Sequence, residues 1–261
     1  MGRGFESFAR LLDGPWPDCA GLNALLGFCQ HPVSGVQLRF VPQDDALATD
    51  GLHYETRILQ RGLIATRTDN WHDLFNALCW CERRPLKLAV NTAYVAELER
   101  LGSPNRSRHQ AALTHFDEAG AVVFVRDEAR LRAWDEHDWE TLFLRRREQF
   151  DEELRVVLFG HALLEHCLVP ALYPVAKCVG VAVDNFDAMS THLAEFARAL
   201  ARGDVLRDPQ ELRPLPLSGL PGWDPAGSEA DFYRAAPCFR PLRQGRRYPA
   251  LWRNFSLVGT T

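Results

Sequence analysis

Thr66-Arg67-Thr68-Asp69-Asn70-Trp71-His72-Asp73-Leu74-Phe75-Asn76-Ala77-Leu78 is the stretch that decides the fold class of this chain. Ahead of it, Val36-Gln-Leu-Arg-Phe-Val41 alternates apolar and polar residues with period two, the pattern of a half-buried strand. Inside it, Trp71, Leu74, Phe75 and Leu78 recur at i, i+3, i+4 and i+7, the apolar stripe of a helix. Asn70 is a good N-cap, and Asp73 puts negative charge in the first turn, where the helix dipole favours it. A change of period from two to 3.6 at a capped boundary points to an α+β fold.

Outward from this boundary, His53 to Leu59 reads as a second strand ended by Gly62, so a small antiparallel sheet is expected. The helix after Asn70 stops at Pro85, and another runs from Leu86 to Leu101. Asn105 to Gln110 reads as a polar loop, and Thr114 to Glu118 as a turn leading into a strand at Ala121 to Arg126. Residues 127–155 are dense in charge, with Trp134, Trp139, Leu142 and Phe143 as helical anchors. Val156 to Val169 is apolar nearly all round, which predicts a buried core helix. Cys178 to Val183 reads as a strand and Met189 to Arg202 as an amphipathic helix stopped by Gly203. The last sixty residues are rich in proline yet carry Trp223, Phe232, Tyr233, Phe239, Tyr248, Trp252 and Phe255, too aromatic for a disordered tail. The organisation expected is a helical segment over 1–35, a core over 36–203 and a wrapping arm over 204–261. All three belong to one mostly helical domain with a small sheet.

The 261 residues are 46% hydrophobic and 25% charged, which excludes a disordered or fibrous chain. A net charge of −4 gives no global attraction to DNA or anionic membrane. No apolar run approaches the roughly 20 residues needed to span a bilayer, so no membrane association is expected. The opening MGRGFESFARLLDGPWP lacks the apolar core of a signal peptide. Seven cysteines without framework spacing read as free thiols, and the compartment expected is a reducing cytoplasm.

Three polar clusters carry the chemistry. His72, Asn76 and Cys79 form one stripe flanking the apolar face of the first long helix, where a polar side chain must find a partner or line a pocket. In Phe159-Gly160-His161-Ala162-Leu163-Leu164-Glu165-His166, His161 and Glu165 are i and i+4 and so share a helix face. Gly160 costs about 1 kcal/mol against alanine inside a helix, tolerable where something packs close to the backbone. Asp117 and Glu118 place a carboxylate pair near the turn before Gly120. Each cluster also has a structural reading, as hydrogen-bonders that tie one element to the next. Arg57, Arg67 and Lys87, with Asn91, Arg106 and Arg108, can hold a phosphate or carboxylate. In the arm, Arg240, Arg243, Arg246, Arg247 and Arg253 interleave with Tyr248 and Trp252, a composition that suits single-stranded RNA. Walker, Rossmann, His-Glu-x-x-His and Gly-x-Ser-x-Gly motifs are missing.

Thr66-Arg67, Asn70 through Leu78, Trp80, Lys87 and Asn91 together resemble an uncharacterised bacterial family, domain of unknown function number 3025. The resemblance continues through Leu113-Thr114, Phe116-Asp117-Glu118, Phe159-Gly160-His161-Ala162 and Glu165. It extends to Leu215-Pro216-Leu217, Gly219, Pro221-Gly222-Trp223, Phe232-Tyr233 and Phe239-Arg240, and so covers about Val36 to Arg243. Two departures stand out: Ala111-Ala112 precede Leu113 where the family carries an acid, and Cys81 to Leu86 differs from the family's Phe-Pro form. The resemblance assigns no reaction, but it implies that the polar clusters and the arm belong to one fold.

Two functions are open at this point. One is an enzyme of hydrolytic or transfer chemistry, with or without a divalent metal ion, acting on a small polar or phosphorylated substrate in a cleft. Its catalytic residues are His72, His161, Glu165 and Asp117, helped by Glu118, and the metal ligands are His72, His161 and Glu165. Its substrate contacts are Arg67, Asn70, Asn76, Lys87, Asn91 and Trp223, the last on an arm that closes the cleft. The other is a protein- or RNA-interaction module in which the same groups form a buried structural network. The sequence sets no oligomeric state.

Overall fold

The computed structural model describes residues 14–102 and 106–253. The sequence readings on residues 1–13, 103–105 and Phe255 lie outside them. Strand β1 (Arg39–Pro42) pairs with β2 (Leu63–Thr66) in parallel, not antiparallel as expected, because the segment between them is a helix, Tyr54–Arg61, and not a strand. A helical crossover returns the chain to the same end of the sheet, which makes neighbouring strands parallel. His53 caps that helix by accepting from the Glu55 N–H at 3.2 Å. Gly62 ends it in the left-handed region at φ 68°, against the Gln37 carbonyl, where a Cβ would collide.

The second sheet has the order β4-β3-β5-β6, with β3 (Gly120–Val125) antiparallel to β4 (Leu154–Leu158) and parallel to β5 (Val175–Ala182). All six residues of β3 are buried, as a central strand covered on both faces requires. β6 (Arg213–Pro216) belongs to the proline-rich arm and pairs antiparallel with β5 at the sheet edge, the position that tolerates proline in a strand. Apolar side chains pack on both faces of this sheet in two clusters, one containing Trp80, Trp134 and Phe143, the other Phe116, Phe159 and Phe196. The result is an α+β single domain. The arm is fastened to it by Trp134 Nε1 donating to the Pro214 carbonyl at 2.7 Å and Trp139 Nε1 donating to the Arg240 carbonyl at 2.8 Å. Among the described residues no helix is long and apolar enough to cross a membrane.

Three other expectations are corrected. The buried helix expected over Val156 to Val169 is instead the end of β4 followed by a short helix, His161–His166. An unbroken apolar run fits a buried strand as well as a buried helix. Of the loop expected over Asn105 to Gln110, Arg106 and Ser107 are irregular but Arg108 to Gln110 are helical, and Thr114 to Glu118 are not a turn, because a helix spans Arg108–Ala119. Its Ser107 hydroxyl accepts from Gln110 N while the Gln110 side chain accepts from Ser107 N, a capping box that the Ser-x-x-Gln spacing spells out. Asp117 and Glu118 therefore occupy the last turn of a helix.

Gly160 joins these elements. Its N–H and that of Phe159 both donate to the Gly120 carbonyl, at 2.8 and 3.0 Å. A Cβ on Gly160 would lie 2.5 Å from Ala119 Cα and closer still to Gly120 N, both backbone atoms that cannot swing aside. Gly160→Ala is expected to destabilise the protein by about 3 kcal/mol in chemical denaturation, through overpacking at this contact.

Candidate functional site

Four helix ends meet around a cavity of about 300 Å³. The Trp71–Glu82 helix contributes His72, Asp73 and Asn76; the Arg108–Ala119 helix contributes Thr114, Asp117 and Glu118; His161 opens the His161–His166 helix; His53, Tyr54 and Glu55 come from the helix between β1 and β2. Asn70 fixes the first of these by accepting from Asp73 N at 3.0 Å. Arg67 then clamps the Asp73 carboxylate through its backbone N–H, Nε and Nη2, at 2.7, 2.9 and 2.9 Å. This clamp sets where the first turn, and with it His72, faces the cavity.

His72 and His161 meet edge to face, with ring centroids 4.5 Å apart and their Nε2 atoms 3.0 Å apart. His72 Nδ1 lies 3.2 Å from Glu165 Oε2. His161 Nδ1 is 3.6 Å from Asp117 Oδ2, and His161 Nε2 is 3.4 Å from Glu118 Oε2. A carboxylate beside a ring nitrogen draws the ring's proton to that nitrogen. With the proton of each ring on Nδ1, the two Nε2 lone pairs face each other; with it on the Nε2 of either ring, that nitrogen donates to the other. The first of these tautomer pairs leaves the space between the rings open to a cation.

A model described as a protein of unknown function (DUF3025) matches residues 38–243. The chain belongs to this family. Every residue lining the cavity falls inside the matched span. No curated protein and no solved structure matches the chain.

In this DUF3025 protein the electrostatics follow from burial and pairing. Burial, reinforced by the nearby Lys87 and His72, lowers His161 to about 4 against the pull of Asp117, so the ring is neutral at pH 7. Burial pushes the Asp117 carboxyl up, but Lys87, whose Nζ donates to it at 2.7 Å, and His161 outweigh burial and hold it below the usual range. Glu118 is raised by burial and then by Asp117. Two carboxylates in the last turn of a helix also face the negative end of its dipole, which increases the need for positive charge here.

The structure brings together His72, His161, Glu165 and Asp117, with Arg67 and Asn76 on the cavity wall. Glu165 differs from the expectation in one respect: its side chain is 36% exposed, because its helix is short and superficial, so only His161 carries the desolvation expected of both. Four residues expected to contact substrate do not line the cavity. Asn70 is a helix cap. Lys87 is buried under Trp80 and Phe159, 5.4 and 5.9 Å from their ring centroids, and is used up on Asp117. Asn91 is buried and bonded to His31 and Glu55. Trp223 packs on the apolar core of the arm and so does not wall the cleft. Arg57 is likewise committed, bidentate to Asp50. In the arm, Arg246 lies over Tyr248 at 4.4 Å and Arg253 is 3.7 Å from Asp184. Sequence reasoning passed over Tyr54 and Glu55 because it assigned their segment to a strand; Gly62 followed by the apolar Leu63-Ile-Ala is the signal that a helix ends and a strand begins there.

Lys87→Met leaves Asp117 buried without its cation and is expected to cost about 3 kcal/mol of folding stability, with Lys87→Met/Asp117→Asn recovering much of it in a denaturation cycle. A pH series tests Glu55, which burial, then the charge on Asp117, raises to about 7. Between its unfolded value and about 7 the folded protein holds a proton that the unfolded chain has released. This carboxyl therefore lowers stability as pH rises through that window, and Glu55→Gln is expected to flatten the dependence.

Proposed function

We propose that this protein is a hydrolase that works with one divalent cation held by His72, His161 and Glu118. The observation that carries the reading is the pair of Nε2 atoms 3.0 Å apart, each ring having a carboxylate at its other nitrogen. Ligands at about 2.0–2.1 Å from a four-coordinate metal are spaced by roughly 3.3 Å. The separations of 3.0 Å between the histidines and 3.4 Å from His161 to Glu118 straddle that spacing, and the ligand atoms of all three residues lie within 4.8 Å of one another. Glu118 thus takes the ligand position that the sequence reading gave to Glu165.

Glu165 and Asp117 act on the histidines: each fixes a ring so that Nε2 faces the shared position, and each makes that nitrogen a stronger donor. Lys87 keeps Asp117 ionised for this task. Three protein ligands leave a position for water, which a divalent cation makes a nucleophile at neutral pH. The cavity bordering the cluster supports a reaction on a small polar substrate over a closed structural network, since the histidines and Glu118 line open space. Seven free cysteines support a reducing cytoplasm as its compartment.

Metal analysis of protein purified without an affinity tag is expected to find one divalent ion per chain. His161→Ala and Glu118→Ala are expected to lose it, whereas Glu165→Gln retains it with affinity lowered about 10- to 100-fold. A wild-type chain that binds no divalent ion in equilibrium dialysis would refute the reading.

A further inference from the structure

One carboxyl in the cavity neither serves as a ligand in the proposed site nor is paired with a cationic side chain, unlike Asp73 and Asp117. Glu55 lines the same cavity as His72, Glu118 and His161. Its Oε2 accepts from Asn91 Nδ2 at 2.6 Å, and the same nitrogen donates to the Glu55 backbone carbonyl at 2.9 Å. With its amide nitrogen so engaged, Asn91 presents Oδ1 to His31 Nε2 at 3.0 Å. His31 Nδ1 accepts from Val33 N at 3.3 Å, which puts the ring proton on Nε2 and fixes the polarity of the whole chain. His31 and Asn91 are 0% and 1% exposed, so this support is rigid. Among the described residues nothing bonds to Oε1 of Glu55. A side chain on the cavity wall is thus held by one oxygen with the other left over.

Charge narrows what enters. Arg67 is committed to Asp73, and Lys87 to Asp117. Among the described residues that line the cavity, Glu55 and Glu118 then stand against one guanidinium without an ion-pair partner there, Arg106, at the exposed rim. A phosphate dianion at the histidine pair would meet these carboxylates, whereas a neutral carboxamide meets no repulsion. Asn76 adds an acceptor: its Nδ2 donates to the Tyr54 hydroxyl at 3.0 Å, and its Oδ1 is buried without a partner on the cavity wall. An amide N–H satisfies it. The volume of about 300 Å³ holds about ten waters, which limits the substrate to a small molecule.

The geometry points to Glu55 as the proton shuttle of this site and to a small carboxamide as its substrate class, an inference that rests on the metal-centred reading above. A cation held by His72, His161 and Glu118 would activate a water in the same cavity, and Glu55 would take one proton from that water, directly or through one intervening water, as the water oxygen bonds to the amide carbon and the carbonyl π pair moves onto its oxygen. When the carbonyl re-forms, the C–N bond breaks and Glu55 returns the same proton to the departing nitrogen. The products are a carboxylic acid and an amine, between which one proton then passes, and no further reactant is needed. A carboxyl raised to about 7 can do both jobs at neutral pH, as base and then as acid.

The test is release of amine or ammonia from a panel of small amides (acetamide, propionamide, N-acetylglycine and glycinamide) by Zn²⁺- or Mn²⁺-loaded protein, with p-nitrophenyl phosphate as the comparison. Wild type is expected to cleave at least one amide and not the phosphate. Glu55→Gln, which can still accept from Asn91, is expected to lower kcat by about 100-fold or more while binding the same amount of metal. Glu55→Asp, which keeps the charge but retracts it, is expected to lose activity as well. An infrared band of a protonated carboxyl near neutral pH, absent from Glu55→Gln, reports the group without any substrate. Glu55→Gln with kcat within about threefold of wild type overturns the shuttle and leaves the metal reading intact. Turnover of the phosphate alone, or of nothing in the panel by metal-loaded wild type, overturns the substrate class. Failure of wild type and Glu55→Gln alike to bind metal marks failure of the underlying reading instead.

Discussion

The contact of Gly160 on the Ala119–Gly120 backbone governs the site, because it joins two chain reversals at one point. The Arg108–Ala119 helix ends there and turns into the central strand β3, while β4 ends there and turns into the His161–His166 helix. Two N–H groups share one carbonyl across the junction. This places the last-turn carboxylates of one helix against the first-turn histidine of the next. A side chain at position 160 would separate them, and the sheet behind them is too fully packed to yield.

That junction gathers charge that a protein interior does not tolerate unpaired. Asp117 is mostly buried, at the negative end of its helix, and keeps its charge because Lys87 reaches it from the neighbouring helix through a slot between Trp80 and Phe159. The ion pair settles Asp117 but leaves Glu118, Glu165 and two facing imidazoles around one spot. A positive charge at that spot, as proposed above, would answer to the same solvation physics that put Lys87 under Asp117. The family match covers all of these groups and carries no reaction with it, so the chemistry has to be argued from the arrangement itself.

How legible each part was depended on whether its signal was local. The Asn70 cap, the stripe from Trp71 to Leu78 and the amphipathic helix Met189–Ala201 rest on contacts three and four residues apart, and the sequence displays them. The Ser107 capping box was equally local, but the polar residues around it read as loop. The run from Val156 gave no such guide, because a wholly apolar segment has no period. The segment from His53 failed for a related reason: one of its two buried residues is Arg57, and a charged side chain on the buried face hides the helical stripe.

By itself, the sequence determined the fold class, the helices Trp71–Glu82 and Arg84–Leu101, and which polar residues sit at the boundary of the core, because these follow from periodicity and capping within a few residues. It also named both histidines and the acids Asp117, Glu118 and Glu165. Only the tertiary structure decided how they are arranged. Whether Glu118 or Glu165 faces the space between the rings, and whether Asn91 touches the cavity or braces Glu55, depends on contacts between residues tens of positions apart. Those contacts are set by how helices and sheet pack, and no local pattern encodes them.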